Sequence, residues 1–220
     1  GFSKLLTLAE ACREEPPFLG RLMRCVAPLR GHTDGISGLA LSPDGQFAAS
    51  SSHDRTVRLW SLLEGTEIAT LQGHTDWVSC LGMAVDGKTL ASGSRDGSAR
   101  LWSCPEGVAL RKLEGHRDGV RCLALTPDGQ FLLTGSDDAT IRLWRIADGQ
   151  AVTVLTGHSD IVSCLAVSPD GRTFASGSYD NQVRLWNLPD GSLRATLTGH
   201  KAMVNCLVFS PDGSMLASGS

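Results

Sequence analysis

The sequence predicts an all-β protein assembled from small four-stranded antiparallel sheets, stacked one on the next. Three interleaved residue series carry that expectation. Gly-His pairs stand at Gly31-His32, Gly73-His74, Gly115-His116, Gly157-His158 and Gly199-His200, each 42 residues after the one before. Trp60, Trp102, Trp144 and Trp186 keep the same step, as do Asp54, Asp96, Asp138 and Asp180. Self-similarity at a fixed period of this length marks a repeat architecture, in which each unit buries its apolar surface against its neighbours.

The third period shows the elements in order. VRCLAL (120–125) is an apolar run, and TPDG (126–129) reverses the chain. Pro presets φ there, and the following Gly accepts a positive φ. QFLLTGS (130–136), the turn DDA, TIRLW (140–144), a loop holding Asp148-Gly149 and AVTVL (151–155) complete the unit. Short β-rich runs between such turns read as hairpin-linked strands, four to the period. Apolar residues on both faces point to sheets packed on sheets. A lone sheet of this size would be marginal.

Composition narrows the function classes. The formal net charge of −3 exerts no broad pull on nucleic acid or acidic membranes. No apolar run approaches the roughly 18 residues of a membrane span, so neither a nucleic-acid nor a membrane partner is expected. Of seven cysteines, Cys80, Cys122, Cys164 and Cys206 lie 42 residues apart, each followed by Leu. That pattern is neither a disulfide framework nor a zinc spacing. It reads as small buried apolar residues in a reducing compartment, cytoplasmic or nuclear. The first residues lack the basic start and apolar core of a signal peptide. Within 1–21, Phe2, Leu5, Leu6, Ala9 and Cys12 share a helical face and Pro16-Pro17 ends it, so a short N-terminal helical segment is expected before a repeat domain over 22–220.

Over residues 22–220 these features resemble the WD-repeat β-propeller family. The Gly-His pairs carry the resemblance, with the SPDG turns at 42–45, 168–171 and 210–213 and the runs TVRLW, SARLW, TIRLW and QVRLW. Some positions depart from the family pattern. Ser61, Ser103, Arg145 and Asn187 follow the Trp in place of Asp, Ser51 stands where Gly93, Gly135, Gly177 and Gly219 stand, and Val85 replaces the turn Pro. The resemblance implies a propeller of four-stranded antiparallel blades, about four of them complete with partial first and last blades. Leu29 aligns with Leu71, Leu113, Leu155 and Leu197, so 22–29 is expected as the outermost strand of the blade that closes the ring. Family members commonly have seven blades, which would place the seventh Trp strand at about position 313. The fifth unit, ending at SGS (218–220), is expected to present an open strand edge through which the chain can self-associate.

The resemblance also implies a hydrogen-bonded tetrad in each blade: His32-Ser50-Asp54-Trp60, His74-Ser92-Asp96-Trp102, His116-Thr134-Asp138-Trp144 and His158-Ser176-Asp180-Trp186. An indole N–H only donates, a hydroxyl and a neutral imidazole do both, and a carboxylate accepts, so a Trp→Ser→His→Asp chain satisfies every member. Ser, His and Asp also make a catalytic triad, but four copies of one set speak for architecture, and no catalytic residue is expected. Residues 82–89, GMAVDGKT, fit the phosphate-loop pattern. Asp86-Gly87 nevertheless aligns with the hairpin turn of the other units, and a strand follows where that loop needs a helix. Five of the six His belong to the framework series and His53 is alone in a turn, so neither metal nor cofactor is expected.

In this family partners bind the wider face, at positions three and five after the repeated His and just before the turn Asp. Those positions here are Gly35, Trp77, Gly119, Ile161 and Met203, then Ser37, Ser79, Arg121, Ser163 and Asn205, then His53, Arg95, Asp137 and Tyr179. Trp, Tyr and Arg are the commonest binding hot spots, and Trp77 is the one Trp outside the framework series. The expected function is a non-catalytic scaffold that binds a partner protein or peptide on that face. Two alternatives are a substrate-recognition module of a ubiquitin-ligase-type assembly, with arginines reading an acidic or phosphorylated segment, and a regulatory propeller attached to a catalytic domain outside this chain.

Overall fold

The computed structural model describes residues 28–220. The helix expected over 1–21 and most of the strand expected over 22–29 lie outside the described residues. The rest forms four four-stranded sheets and one two-stranded sheet, with strands in sequence order and every pairing antiparallel. Blade one comprises β1 (Ile36–Leu41), β2 (Phe47–Ser52), β3 (Val57–Ser61) and β4 (Thr66–Leu71). Blade two comprises β5 (Val78–Met83), β6 (Thr89–Ser94), β7 (Ser98–Ser103) and β8 (Ala109–Glu114). Blade three comprises β9 (Val120–Leu125), β10 (Phe131–Ser136), β11 (Ile141–Arg145) and β12 (Ala151–Leu155). Blade four comprises β13 (Val162–Val167), β14 (Thr173–Ser178), β15 (Val183–Asn187) and β16 (Leu193–Leu197). The fifth unit is the hairpin of β17 (Cys206–Phe209) and β18 (Leu216–Gly219).

Local chemistry sets the corners. In the first SPDG turn the Gly45 N–H donates to the Ser42 carbonyl at 2.9 Å, with Gly45 at φ +67°. Asp44 Oδ1 accepts from the Ser42 hydroxyl at 2.5 Å and from the Gln46 N–H at 3.0 Å, locking the reversal. Residues 82–89 are the end of β5, this same turn and the start of β6. No helix N-terminus stands there to receive a phosphate.

Each core lies between blades rather than within one. Phe47, Leu59 and Leu71 of blade one cluster with Val78, Leu90 and Trp102 of blade two. Leu101 and Leu113 meet Leu132 and Trp144 across the next junction, and Leu143 and Leu155 meet Phe174 and Trp186 across the one after. Second strands between two blades are therefore covered on both faces: in β10 every residue after Phe131 is buried, with no in–out alternation. The innermost strands run in series, β1 against β5, β5 against β9, β9 against β13 and β13 against β17. This order brings the loops that begin with Gly-His to one end of the stack.

Candidate protein-binding face

Within each complete blade the loop His, a second-strand hydroxyl, the turn Asp and the third-strand Trp meet. Trp60 Nε1 donates to Ser50 Oγ at 2.8 Å, that hydroxyl bonds His32 Nε2 at 2.8 Å, and His32 Nδ1 reaches Asp54 Oδ2 at 2.7 Å. In blade two the same three distances are 2.9, 2.9 and 2.9 Å. They are 2.8, 2.8 and 3.1 Å in blade three and 2.8, 2.7 and 2.8 Å in blade four. Because the indole can only donate, the hydroxyl proton goes to Nε2 and the imidazole proton sits on Nδ1, facing the carboxylate. Ser92, Thr134 and Ser176 are fully buried, so none is presented to a substrate as a nucleophile. In the fifth unit His200 Nε2 bonds Ser218 Oγ at 2.7 Å, and Ser218 is exposed.

The electrostatics suit a neutral imidazole on an ionised carboxylate. Burial holds His116 below its ordinary value, against the upward pull of Asp138, and does the same to His158 against Asp180. Burial pushes the Asp138 carboxyl up. The Thr140 hydroxyl and the Arg117 and Thr140 amides outweigh that push, joined at low pH by the charge His116 then carries, and bring it to about 2. Desolvation pushes the half-buried Cys80 thiol up to about 12, and the buried Cys104 thiol likewise, where Glu106 and Asp86 add to the effect.

A further framework series carries a role not assigned to it from sequence. Arg58, Arg100, Arg142 and Arg184 occupy one position in the third strands, in steps of 42. The Arg100 guanidinium lies 5.8 Å from the Trp102 ring centroid and donates to the Gly73 carbonyl at 2.8 Å. Gly73 has φ +141°, and a Cβ on it would stand 2.7 Å from Arg100 Nη1. The Gly of the Gly-His pair is thus required twice, by its backbone and by the arginine laid across it. The repeated arginine in the RLW runs was the available signal.

Above this framework the face-forming residues are joined in pairs. The His53 N–H donates to the Gly35 carbonyl, Arg95 to Trp77, Asp137 to Gly119 and Tyr179 to Ile161, each at 2.9 Å. Between blades one and two His53 stacks on Trp77, with ring centroids 4.3 Å apart and planes 14° apart. Arg95 Cζ lies 5.0 Å from the Trp77 centroid. Trp77 keeps 41% exposure, so it is neither sealed between the blades nor fully presented. Gly119 lets the two blades approach closely, since a Cβ there would stand 3.2 Å from Arg95 Cα and 3.4 Å from Asp137 Oδ2. Arg121 clamps Asp137 through two bonds, Nε to Oδ1 at 2.9 Å and Nη2 to Oδ2 at 3.2 Å. Ile161 and Tyr179 in blade four are half-buried, while Met203 is 46% exposed.

Not every position expected to be exposed is so. Ser37, Ser79 and Ser163 are half-buried and donate to the Val78, Val120 and Val204 carbonyls of the following blade. They join blades instead of offering groups to a ligand, and Arg121 takes the corresponding place in blade three. Among the described residues no cluster of three or more His, Cys, Asp or Glu is placed to hold a metal ion.

Stacked four-stranded blades locked by buried polar networks define a β-propeller repeat protein. The family described as "WD domain, G-beta repeat" matches residues 23–61, 65–103, 107–145, 149–187 and 191–220, and this chain belongs to the WD-repeat family. Members of this family generally mediate protein–protein interactions. Among curated proteins, "Small ribosomal subunit protein RACK1" of Caenorhabditis elegans is 48% identical over 46 residues, 21% of this chain and 14% of that protein. "Protein Mut11" of Chlamydomonas reinhardtii is 45% identical over 47 residues, 21% and 13% respectively. "Ribosome biogenesis protein ERB1" of Debaryomyces hansenii is 41% identical over 46 residues, 21% of this chain and 6% of that protein. Each likeness spans roughly one repeat and a small share of the relative's length.

Proposed function

We propose that this chain is a non-catalytic scaffold that binds a protein or peptide segment on the end of the blades that carries the His loops, corresponding to the wider propeller face. The His53–Trp77–Arg95 stack carries the reading. It holds a large aromatic in one orientation before any partner arrives, so little side-chain entropy is lost on binding. The clamped Arg121–Asp137 pair extends the surface into blade three, towards Ile161, Tyr179 and Met203. The framework hydroxyls are buried and the Cys80 and Cys104 thiols are pushed up by burial, which supports binding over catalysis, and the free cysteines suit a reducing compartment.

The test is selection of peptides from a displayed library by the whole chain, followed by affinity measurement. Trp77→Ala should weaken a selected peptide by about 2 kcal/mol or more while leaving the melting temperature within a degree or two. Peptides that keep their affinity for Trp77→Ala, and lose it on changes along the outer strands β4, β8 or β12, would overturn the choice of face. A second reading, recognition of an acidic or phosphorylated segment, draws on the exposed Arg95. Arg121 is already engaged by Asp137. That reading requires selected peptides to be enriched in acidic or phosphorylated residues and to lose affinity in Arg95→Ala.

A further inference from the structure

The first strand of each blade runs away from the His loop, so the turns that follow it gather at the opposite end of the stack, beside the loops between third and fourth strands. There, between blades one and two, lies a cavity of about 560 Å³. Phe47 and Cys104, 7% and 5% exposed, form its floor, and Pro43 and Pro105 line it beside them. The exposed residues Asp44, Asp86, Lys88 and Glu106 complete the lining.

The space has an identifiable cause. Cys104 stands where Leu62, Ile146 and Leu188 stand in the other blades. Ile146 and Leu188 pack onto the cores of their junctions, and the smaller cysteine leaves part of that volume open. The walls are held in place. A Cβ on Gly87 would stand 3.2 Å from Pro43 Cδ, and one on Gly107 would stand 2.6 Å from Leu71 Cδ2, so turn and loop of blade two both press on blade one.

The charge has a cause too. The counterparts of Glu106 in the other blades are bonded by their own loops: Glu64 accepts from the Thr66 hydroxyl at 3.3 Å, Asp148 from Arg145 Nη1 at 2.8 Å, and Asp190 from the Ser192 hydroxyl at 3.0 Å. In blade two the positions of those donors hold Val108, which has no side-chain donor, and Ser103, whose hydroxyl accepts from the Val108 N–H at 3.3 Å. Glu106 therefore keeps its carboxylate for an outside donor. Asp44 and Asp86 brace their turns through Oδ1 alone, on the Gln46 and Lys88 amides at 3.0 and 2.8 Å. Three carboxylates thus face one ammonium. Burial raises the Cys104 thiol, and the charges of Glu106 and Asp86 raise it further, as an electronegative floor requires.

We propose that this cavity is a second binding site, independent of the His53–Trp77–Arg95 stack at the other end, and that it takes an arginine side chain from a basic segment of a partner protein. The aliphatic stem of the arginine lies on Phe47 and Cys104 between the two prolines, and the guanidinium reaches Glu106 and Asp86. A planar, weakly hydrated cation that bonds carboxylates in pairs suits this place better than a compact, strongly hydrated ammonium. The chain itself makes the same contact in blade three, where Arg145 meets Asp148. Among the described residues no set of side chains is placed to hold a metal ion, so the cation is an organic one.

Titration of the nitrogen-15-labelled chain with a blocked heptapeptide, three arginines between glycines and serines, tests this. Amides near Asp44, Asp86 and Glu106 should shift saturably while those near Trp77 stay in place. A lysine version of the peptide should bind several-fold more weakly and a glutamate version should leave the spectrum unchanged. Cys104→Leu, which installs the residue found at Leu188, should fill the floor and weaken the arginine peptide about tenfold or more. Glu106→Gln should also weaken it, whereas Lys88→Ala should tighten it by removing the one opposing charge. The proposal is overturned if these amides do not shift, if arginine and lysine peptides bind alike, or if Lys88→Ala weakens binding. It is also overturned if folded Cys104→Leu binds as the parent does, because attraction to surface charge would then explain the shifts. Should Cys104→Leu fail to fold, Glu106→Gln at its exposed position decides, and parental affinity there overturns the site.

Discussion

At the scale of single residues, the tetrads account for the strict spacing of His, Ser or Thr, Asp and Trp. Each supplies a hydrogen-bonding role that its neighbours lack, and a buried group left unpaired costs about 1–3 kcal/mol. Asp138→Ala should therefore destabilise the fold by about 1–3 kcal/mol in urea melts, by stripping the His116 Nδ1–H of its acceptor. A loss below a few tenths would mean that the imidazole finds another partner at no cost. The pKa directions add a pH dependence. His116 and His158 are held below their ordinary values, so the unfolded chain binds protons more readily and stability declines as pH falls below about 6.5. Asp96, Asp138 and Asp180 are also lowered, burial opposing and hydrogen bonds prevailing, and their contribution is lost as pH falls from about 4 towards 2. Melting temperature against pH should show these two successive declines, and Asp138→Ala should shrink the lower one. A profile flat from pH 7 to 3 would contradict the linkage. The tetrad members were legible in the sequence because each recurs at one phase of the period. The contacts of the binding face were not, because its residues differ from blade to blade. Position alone brought His53, Trp77 and Arg95 into consideration, but it did not show that the imidazole would stack on the indole with the guanidinium close by.

At the scale of strands and turns, the expected third unit and the observed β9, β10, β11 and β12 agree within a residue at each boundary. Turn chemistry and β-rich runs sit at the same places, so the two signals reinforce each other. The phosphate-loop look-alike at 82–89 shows why context outranks pattern: Gly87 there serves a hairpin, with its N–H bonded to the Ala84 carbonyl at 2.9 Å. Sequence reading was less informative about the small residues in the second strands. Gly135 and Gly177 appear there only as members of a repeated SGS or TGS, and the structure gives the reason, a valine of the next blade and a cysteine of the same blade pressing on one spot. Gly177→Ala should accordingly destabilise by about 1–3 kcal/mol, since its Cβ would stand 2.6 Å from both Cys164 Sγ and Val204 Cγ1 and neither can rotate away cheaply. The double variant Gly177→Ala, Val204→Ala should recover part of the loss by opening space on the far side. If the single variant is as stable as the parent, the junction is looser than its geometry indicates.

At the scale of the whole molecule, a stack of near-identical units makes stability a sum of unit terms and nearest-neighbour terms. Blades two, three and four each have a neighbour on both sides, whereas blade one and the fifth hairpin each have one among the described residues. Burial follows that arithmetic. Leu71, Leu113 and Leu155 on the outer strands of blades one to three are 3%, 1% and 8% exposed, because the loop of the following blade covers each of them. Leu197, their counterpart beside the two-stranded fifth unit, is 44% exposed. Opening should therefore spread inward from both ends. In native-state hydrogen exchange the amides of β9, β10 and β11 should be the slowest and should approach the global unfolding free energy. Those of β17 and β18 should exchange first by several orders of magnitude, because the hairpin has only two strands and one packed face. The β1 amides should fall between these limits, since β1 shares a complete four-stranded sheet but packs against one neighbouring blade among the described residues. Urea should compress the gradient, because global unfolding exposes more surface than local opening and gains more from denaturant. Uniform protection from β1 to β18 would show that the stack unfolds as one unit and that its junctions are stronger than the differences in their burial imply.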